Sequence, residues 1–272
     1  MHRLHIPGGR THHPTEEHGF TLIEMLVVIS VIATLAGMLL PALDRANRQA
    51  HAMACVSNLK QLGLAAWMYL NDEGTSIHYD PYPDLWMLTL QRRYSVHEQI
   101  RVCPSAPARQ PGQIAADPSP FGTLTRAWLV SGKAGTNYQG SYALNGYFYS
   151  DSTRYDTPRR FQSGSDVVNP SLTPYFVDSL WVDAWPLASD KPATNLISGN
   201  EALQGGLQRI AIPRHACAAS PAFKSFNIRN PLPGAVNVAF ADNHVETVRL
   251  EKLWSLSWHK DWQTQPKRPG LP

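Results

Sequence analysis

Cysteine is scarce in this chain. The three present, Cys55, Cys103 and Cys217, stand far apart. None belongs to a CxxC pair, which leaves a zinc knuckle or a thioredoxin-type site without support. An odd count allows at most one internal disulfide and leaves one thiol over. Charge is also thin: 17% of residues are charged, with a net formal charge of +3. That excess is too small to draw the chain to nucleic acid or to an acidic substrate, and no basic stripe is interleaved with aromatics. The sequence has no GxSxG, HExxH, P-loop or dinucleotide fingerprint, and no acidic loop dense enough for calcium. The residues therefore predict no catalytic group, no cofactor and no nucleic-acid partner. What is plentiful is proline (22 residues) and tryptophan (8), the mix of a loop-rich domain with many short elements.

Long apolar runs are absent too, with one exception. From Met25 to Leu43 no residue is charged, and as a helix these residues span roughly 28 Å, about the thickness of a bilayer core. A cleaved secretory signal would have a basic start, a shorter apolar core and a small-x-small site. Ala46-Asn47-Arg48 is a poor such site, so the segment reads as a retained anchor. Glu24 stands at its start. A carboxylate in a lipid-embedded helix costs on the order of 2.5–3.5 kcal/mol, which leaves two readings: snorkelling to the interface, or pairing with another group. Pro41 lies inside the run and predicts a kink. Helical spacing continues through Met53, Val56, Leu59, Leu62, Ala66 and Leu70, with Asp44, Arg45, Arg48 and Gln49 on a polar side. Asn71-Asp72-Glu73-Gly74 supplies the stop.

The stretch Gly19-Phe20-Thr21-Leu22-Ile23-Glu24, followed by that apolar helix, resembles the prepilin-type signal of type IV pilins and type II secretion pseudopilins. The resemblance implies cleavage between Gly19 and Phe20 by a prepilin peptidase on the cytoplasmic face, then N-methylation of Phe20. It also implies that Glu24 pairs with the Phe20 amine of a neighbouring subunit, and that Pro41 kinks the family's N-terminal helix. One departure is the leader's end, Glu16-Glu17-His18, where the family has Lys or Arg. The flanking charges do not by themselves set a cytoplasmic N-terminus; the resemblance implies it, with the head in the periplasm.

Further motifs resemble pseudopilin-like proteins of planctomycete and verrucomicrobial bacteria: Cys55 to Ala65, Cys103-Pro104-Ser105, Ser141 to Tyr147, and Pro170 to Ser179, which contains Asp178. Their terminal histidine, nine residues, Asp-Gly motif is echoed by Arg214-His215 and by Val236 to Glu246. Here an insertion at 216–233 separates the halves, and Asn243 replaces the glycine. If the head lies outside the cytoplasm, a Cys55–Cys103 disulfide is expected; the alternative is two buried thiols. Asp178, His215, Asp242 and His244 sit at motif-like positions and could in principle hold a divalent ion, although turn chemistry alone accounts for Asp242.

The expected fold is α+β and pilin-like, with a long kinked N-terminal helix packed on an antiparallel sheet with long loops. Its parts are a leader (1–19), a transmembrane or filament-core helix (20–43), an amphipathic continuation (44–74), a head (75–262) and a mobile tail (263–272). Residues 235–241 and 244–250 read as a hairpin about Asp242-Asn243, with further strands near 141–144 and 173–177. Trp254, Trp258 and Trp262, four apart, are expected on one helical face, either as core or as an exposed docking face. The expected role is an inner-membrane pilin-like subunit whose partners are the peptidase and other subunits. The alternative is an anchored periplasmic protein that binds a polysaccharide or another envelope component. A hydrolase would require Asp178, His215 and Asp242 in one pocket.

Overall fold

The computed structural model describes residues 20–79, 85–132, 137–151, 158–199, 205–265 and 267–272. The expected leader, including Gly19, lies outside the described residues. The chain divides into two compact units, Met1–Asn47 and Arg48–Pro272. Helix α1, Leu22–Glu73, contains Pro41 and passes through both. In the first unit every residue from Phe20 to Asn47 is exposed, including Leu22, Ile23, Met25, Ile29, Ile32, Leu35 and Leu43. Among the described residues α1 is the one helix long and apolar enough to cross a membrane.

Past Arg48 the same helix acquires a buried side. Cys55, Leu59, Leu62, Ala66 and Leu70 are buried at spacings of three and four, a single stripe facing a core. Helix α2 (Leu85–Tyr94) adds Trp86, Met87 and Leu90, and a short α3 follows at Pro111–Ala116.

The main sheet holds five strands: β3 (Tyr142–Asn145), β4 (Pro174–Asp178), β5 (Asp183–Ala184), β6 (Ala235–Phe240) and β7 (Val245–Arg249), in the order β5-β3-β4-β6-β7. A separate antiparallel ribbon pairs β1 (Trp128–Ser131) with β2 (Asn137–Gly140). The main sheet is mixed where an antiparallel one was expected. β5 runs parallel to β3, because the chain crosses over after β4 and returns along the far side of β3 for only two residues. The remaining ladders are antiparallel.

Both faces of the central strands are covered, so β3, β4 and β6 are buried at every position. Side chains alternate between the faces. Leu144, Phe176 and Ala239 join α1, α2, Trp128 and Tyr175 in one core cluster. Ala143, Val177, Val238 and Phe240 join Leu207, Ile212, Leu253, Trp254 and Trp258 in a second. β7, at the edge, is mostly exposed or half-buried.

Two expectations change. The tryptophan segment is not an α-helix: a 3₁₀ turn covers Leu250–Ser255 and Leu256 is extended, so Trp258 and Trp262 lie beyond it. Trp254 and Trp258 are buried and Trp262 half-buried. Each indole N–H donates to a backbone carbonyl, of Asp190 (2.9 Å), Leu253 (2.7 Å) and Trp254 (3.2 Å) respectively, so the rings fill core with their polar edges satisfied. The tail is also held. Arg268 is buried, donating from Nε to Glu251 (2.8 Å), from Nη1 to the Ile228 carbonyl (2.9 Å) and from Nη2 to the Asn230 carbonyl (2.6 Å).

Candidate functional site

Three regions hold the residues singled out in the sequence. The first is the start of α1. Thr21 donates to Glu24 Oε2 from its backbone N–H (2.8 Å) and from its hydroxyl (2.7 Å), while the Glu24 N–H donates to Thr21 Oγ1 (3.3 Å). This is a reciprocal capping box, satisfying donors that a helix start leaves open. Glu24 therefore has a local partner in the single chain. The Thr-x-x-Glu spacing of Thr21 and Glu24 is the sequence signal of this box.

The second region is buried in the second unit, around Asp178 at the end of β4. Asp178 is fully buried. Its Oδ2 accepts the Asn237 N–H at 2.7 Å and lies 3.1 Å from His215 Nε2. Its Oδ1 accepts from Arg214 Nη1 at 3.2 Å. Arg214, buried with it, spends its other donors on the carbonyls of Ser141 (2.5 Å), Thr123 (3.1 Å) and Ser179 (3.1 Å). Burial pushes the Asp178 carboxyl upward, yet His215, Arg214 and the Asn237 amide together hold it below the ordinary carboxylate value.

The insertion at 216–233 does not pull His215 away. His215 and Ala235 exchange backbone hydrogen bonds of 2.9 and 2.8 Å, so the extra residues loop out between a paired position and the first residue of β6. The loop is anchored by Phe223 and Leu232 in the second core cluster. Against the same site lies a disulfide: Cys55 and Cys103 are bonded, with Cα atoms 5.0 Å apart across 48 residues of sequence. Cys103 Sγ is 3.8 Å from His215 Nε2. The donor atoms of Cys55, Cys103 and His215 all lie within 4.8 Å of one another.

Asp242 and His244 belong elsewhere. They flank Asn243, which adopts a left-handed φ of +66° in the turn between β6 and β7. His244 Nδ1 is 2.5 Å from Asp242 Oδ1, and its ring stacks on Phe240 with centroids 4.3 Å apart. Lys60 Nζ donates to the Asn243 carbonyl. From Asn237 to Phe240, the last residue of β6, the strand advances roughly 10 Å, and Asp242 lies beyond it in the turn, so the four residues form two pairs toward opposite ends of β6. Asp178, His215 and Asp242 do not share a pocket. A surface cavity of ≈ 470 Å³ beside this turn is lined by Leu64, Trp67, Leu70, Tyr175, Asp242 and Asn243, among others.

The chain's similarity to known proteins is confined to its first part. The family described as Prokaryotic N-terminal methylation motif matches residues 15–40. That match takes in Gly19, Phe20, Glu24 and most of the exposed apolar helix. No curated protein and no solved structure matches the chain. The molecule thus carries a prepilin-type signal on an α+β, pilin-like arrangement of one long N-terminal helix followed by a mixed-sheet head.

Proposed function

We propose that this chain is a pilin- or pseudopilin-like structural subunit, anchored in the inner membrane by α1 with its N-terminus cytoplasmic and its head periplasmic. A prepilin peptidase would cut between Gly19 and Phe20 and methylate Phe20. The subunit would then assemble with others through residues 20–43, and its activity would be assembly and not turnover. The observation that carries this reading is the methylation motif at 15–40 coinciding with a helix whose apolar side chains, from Leu22 to Leu43, are all exposed. Such a surface needs hydrocarbon or neighbouring helices to cover it. The Cys55–Cys103 disulfide supports a head in an oxidising compartment. The binding-protein alternative relied on an exposed tryptophan face, and two of those three rings are buried.

The test is the mass of the N-terminal peptide of the mature protein isolated from its native membrane. A peptide beginning at Phe20 and carrying one added methyl group is expected. A peptide that retains residues 1–19 would reduce the segment to an ordinary anchor and remove the case for assembly. A start beyond Leu43 would mean a released protein.

A further inference from the structure

The Cys55–Cys103–His215 cluster is arranged as more than a disulfide with a histidine beside it. We propose that, when the disulfide is reduced, Cys55, Cys103 and His215 form a site for a thiophilic divalent ion, zinc above all, with Asp178 as the carboxylate beside the imidazole. Zinc in proteins takes thiolate, imidazole and carboxylate ligands in a tetrahedron. With metal–ligand bonds of about 2.0–2.3 Å, the donor–donor edges of that tetrahedron are roughly 3.3–3.8 Å. His215 Nε2 lies 3.8 Å from Cys103 Sγ, already at that range, and Asp178 Oδ2 stands 3.1 Å from the same nitrogen as its neighbouring carboxylate. The donor atoms of Cys55, Cys103 and His215 all lie within 4.8 Å of one another, and the disulfide is what keeps the two sulfurs from spreading into a ligand edge. Reduction releases that edge.

The charges also balance. Two thiolates, the Asp178 carboxylate, the Arg214 guanidinium and a divalent cation sum to zero around a neutral imidazole, so the loaded site buries no net charge. The same elements are tied in either state: α1 through Cys55, the loop after the turn Glu98–Arg101 through Cys103, and the start of β6 through the His215–Ala235 bridge. His215 is reached from a surface cleft of ≈ 470 Å³ that is also lined by Arg48, Gln49, Ala52, Cys217 and Thr247, which gives an ion a path. In a reducing compartment a dithiol supplies two electrons and two protons, opening the S–S bond to two thiols while it closes to its own disulfide. The ion then takes the two thiolates and displaces both protons to solvent. In an oxidising compartment the disulfide occupies the same place, so metal and disulfide are alternative clasps.

The test uses the full chain in detergent, with Co²⁺ as the spectroscopic probe and Zn²⁺ as its competitor. A phosphine that leaves the metal free opens the disulfide, with water converting it to the phosphine oxide. The reduced chain should bind one Co²⁺ with a thiolate-to-cobalt charge-transfer band and the visible bands of a tetrahedral site, and Zn²⁺ should displace it. The oxidised chain should give neither band. His215→Ala and His215→Gln should each weaken Co²⁺ binding by at least about tenfold, while Cys217→Ser leaves it unchanged. No stoichiometric band in the reduced chain overturns the proposal, whether or not circular dichroism finds that chain folded. So does binding that survives both His215 variants, or that is lost with Cys217→Ser, since either would mean adventitious capture by thiols.

Discussion

Asp178 is fully buried, and the groups around it decide its ionisation. Replacing it with alanine leaves the Arg214 guanidinium buried without its counter-charge, the circumstance in which breaking a pair costs about 3–5 kcal/mol. Asp178→Ala should lower the urea midpoint at neutral pH accordingly. Because its folded pKa is held below the ordinary value, its contribution is present above the unfolded pKa near 3.8 and disappears as pH falls through the folded one. His259 acts in a different window. It is buried, with its ring 4.9 Å from Tyr147 and 5.3 Å from Trp262. Burial, helped by Arg159, lowers its pKa from 6.5 to about 4. The unfolded chain therefore binds a proton there before the folded one does, and stability should fall between pH 6.5 and about 4 and then level off for this group. The full loss is roughly 3 kcal/mol. Unfolding the wild type and His259→Gln at pH 7, pH 5 and pH 3 separates the two windows: the variant should lose the difference between pH 7 and pH 5 and keep the further fall toward pH 3 that Asp178 confers.

Strands announced themselves where their neighbours were local. The β6–β7 hairpin was legible from alternating Val236, Val238 and Phe240 and from the turn residues, because both partners lie within a few residues of Asp242. Asn243 could be anticipated as a left-handed residue for the same reason, and φ is +66°. Asn243→Gly should be nearly neutral in thermal denaturation, whereas Asn243→Val should destabilise by about 1–2 kcal/mol or more, since a side chain branched at Cβ is poorly tolerated there. β5 and the β1–β2 ribbon were not legible. They are short, and β5 exists only because β3 offers a free edge, a fact of tertiary structure. The three tryptophans failed as a helix for a related reason. Their spacing of four fits a helical face, but burial in the second core cluster and three separate carbonyl acceptors fix each ring individually. Trp258→Ala should cost about 3–5 kcal/mol. The buried site was half legible: the sequence marked Asp178 and His215, but could not say that a looped-out insertion would bring His215 back beside Ala235, or that Arg214 would neutralise the carboxylate.

For the molecule as an assembly unit, the decisive question is what Glu24 is for. The capping box with Thr21 gives it a role inside one chain, whereas filament assembly would have it meet the Phe20 amine of a neighbour. These roles respond differently to substitution. Glutamine at the third helical position also closes a capping box, so Glu24→Gln keeps the cap and removes only the charge. Thr21→Ala does the reverse, weakening the helix start by about 1 kcal/mol while leaving the carboxylate. If assembly relies on charge pairing, Glu24→Gln should be cleaved and held in the membrane like the wild type yet fail to enter sheared or co-purified filaments, and Thr21→Ala should still enter them. Should Glu24→Gln assemble normally while Thr21→Ala does not, the carboxylate would be a helix cap and nothing more, and the contacts between subunits would have to come from the apolar surface between Leu22 and Leu43. The membrane fraction serves as the control in both cases, since a Glu24 that mattered only for insertion would change the amount anchored before any filament was counted.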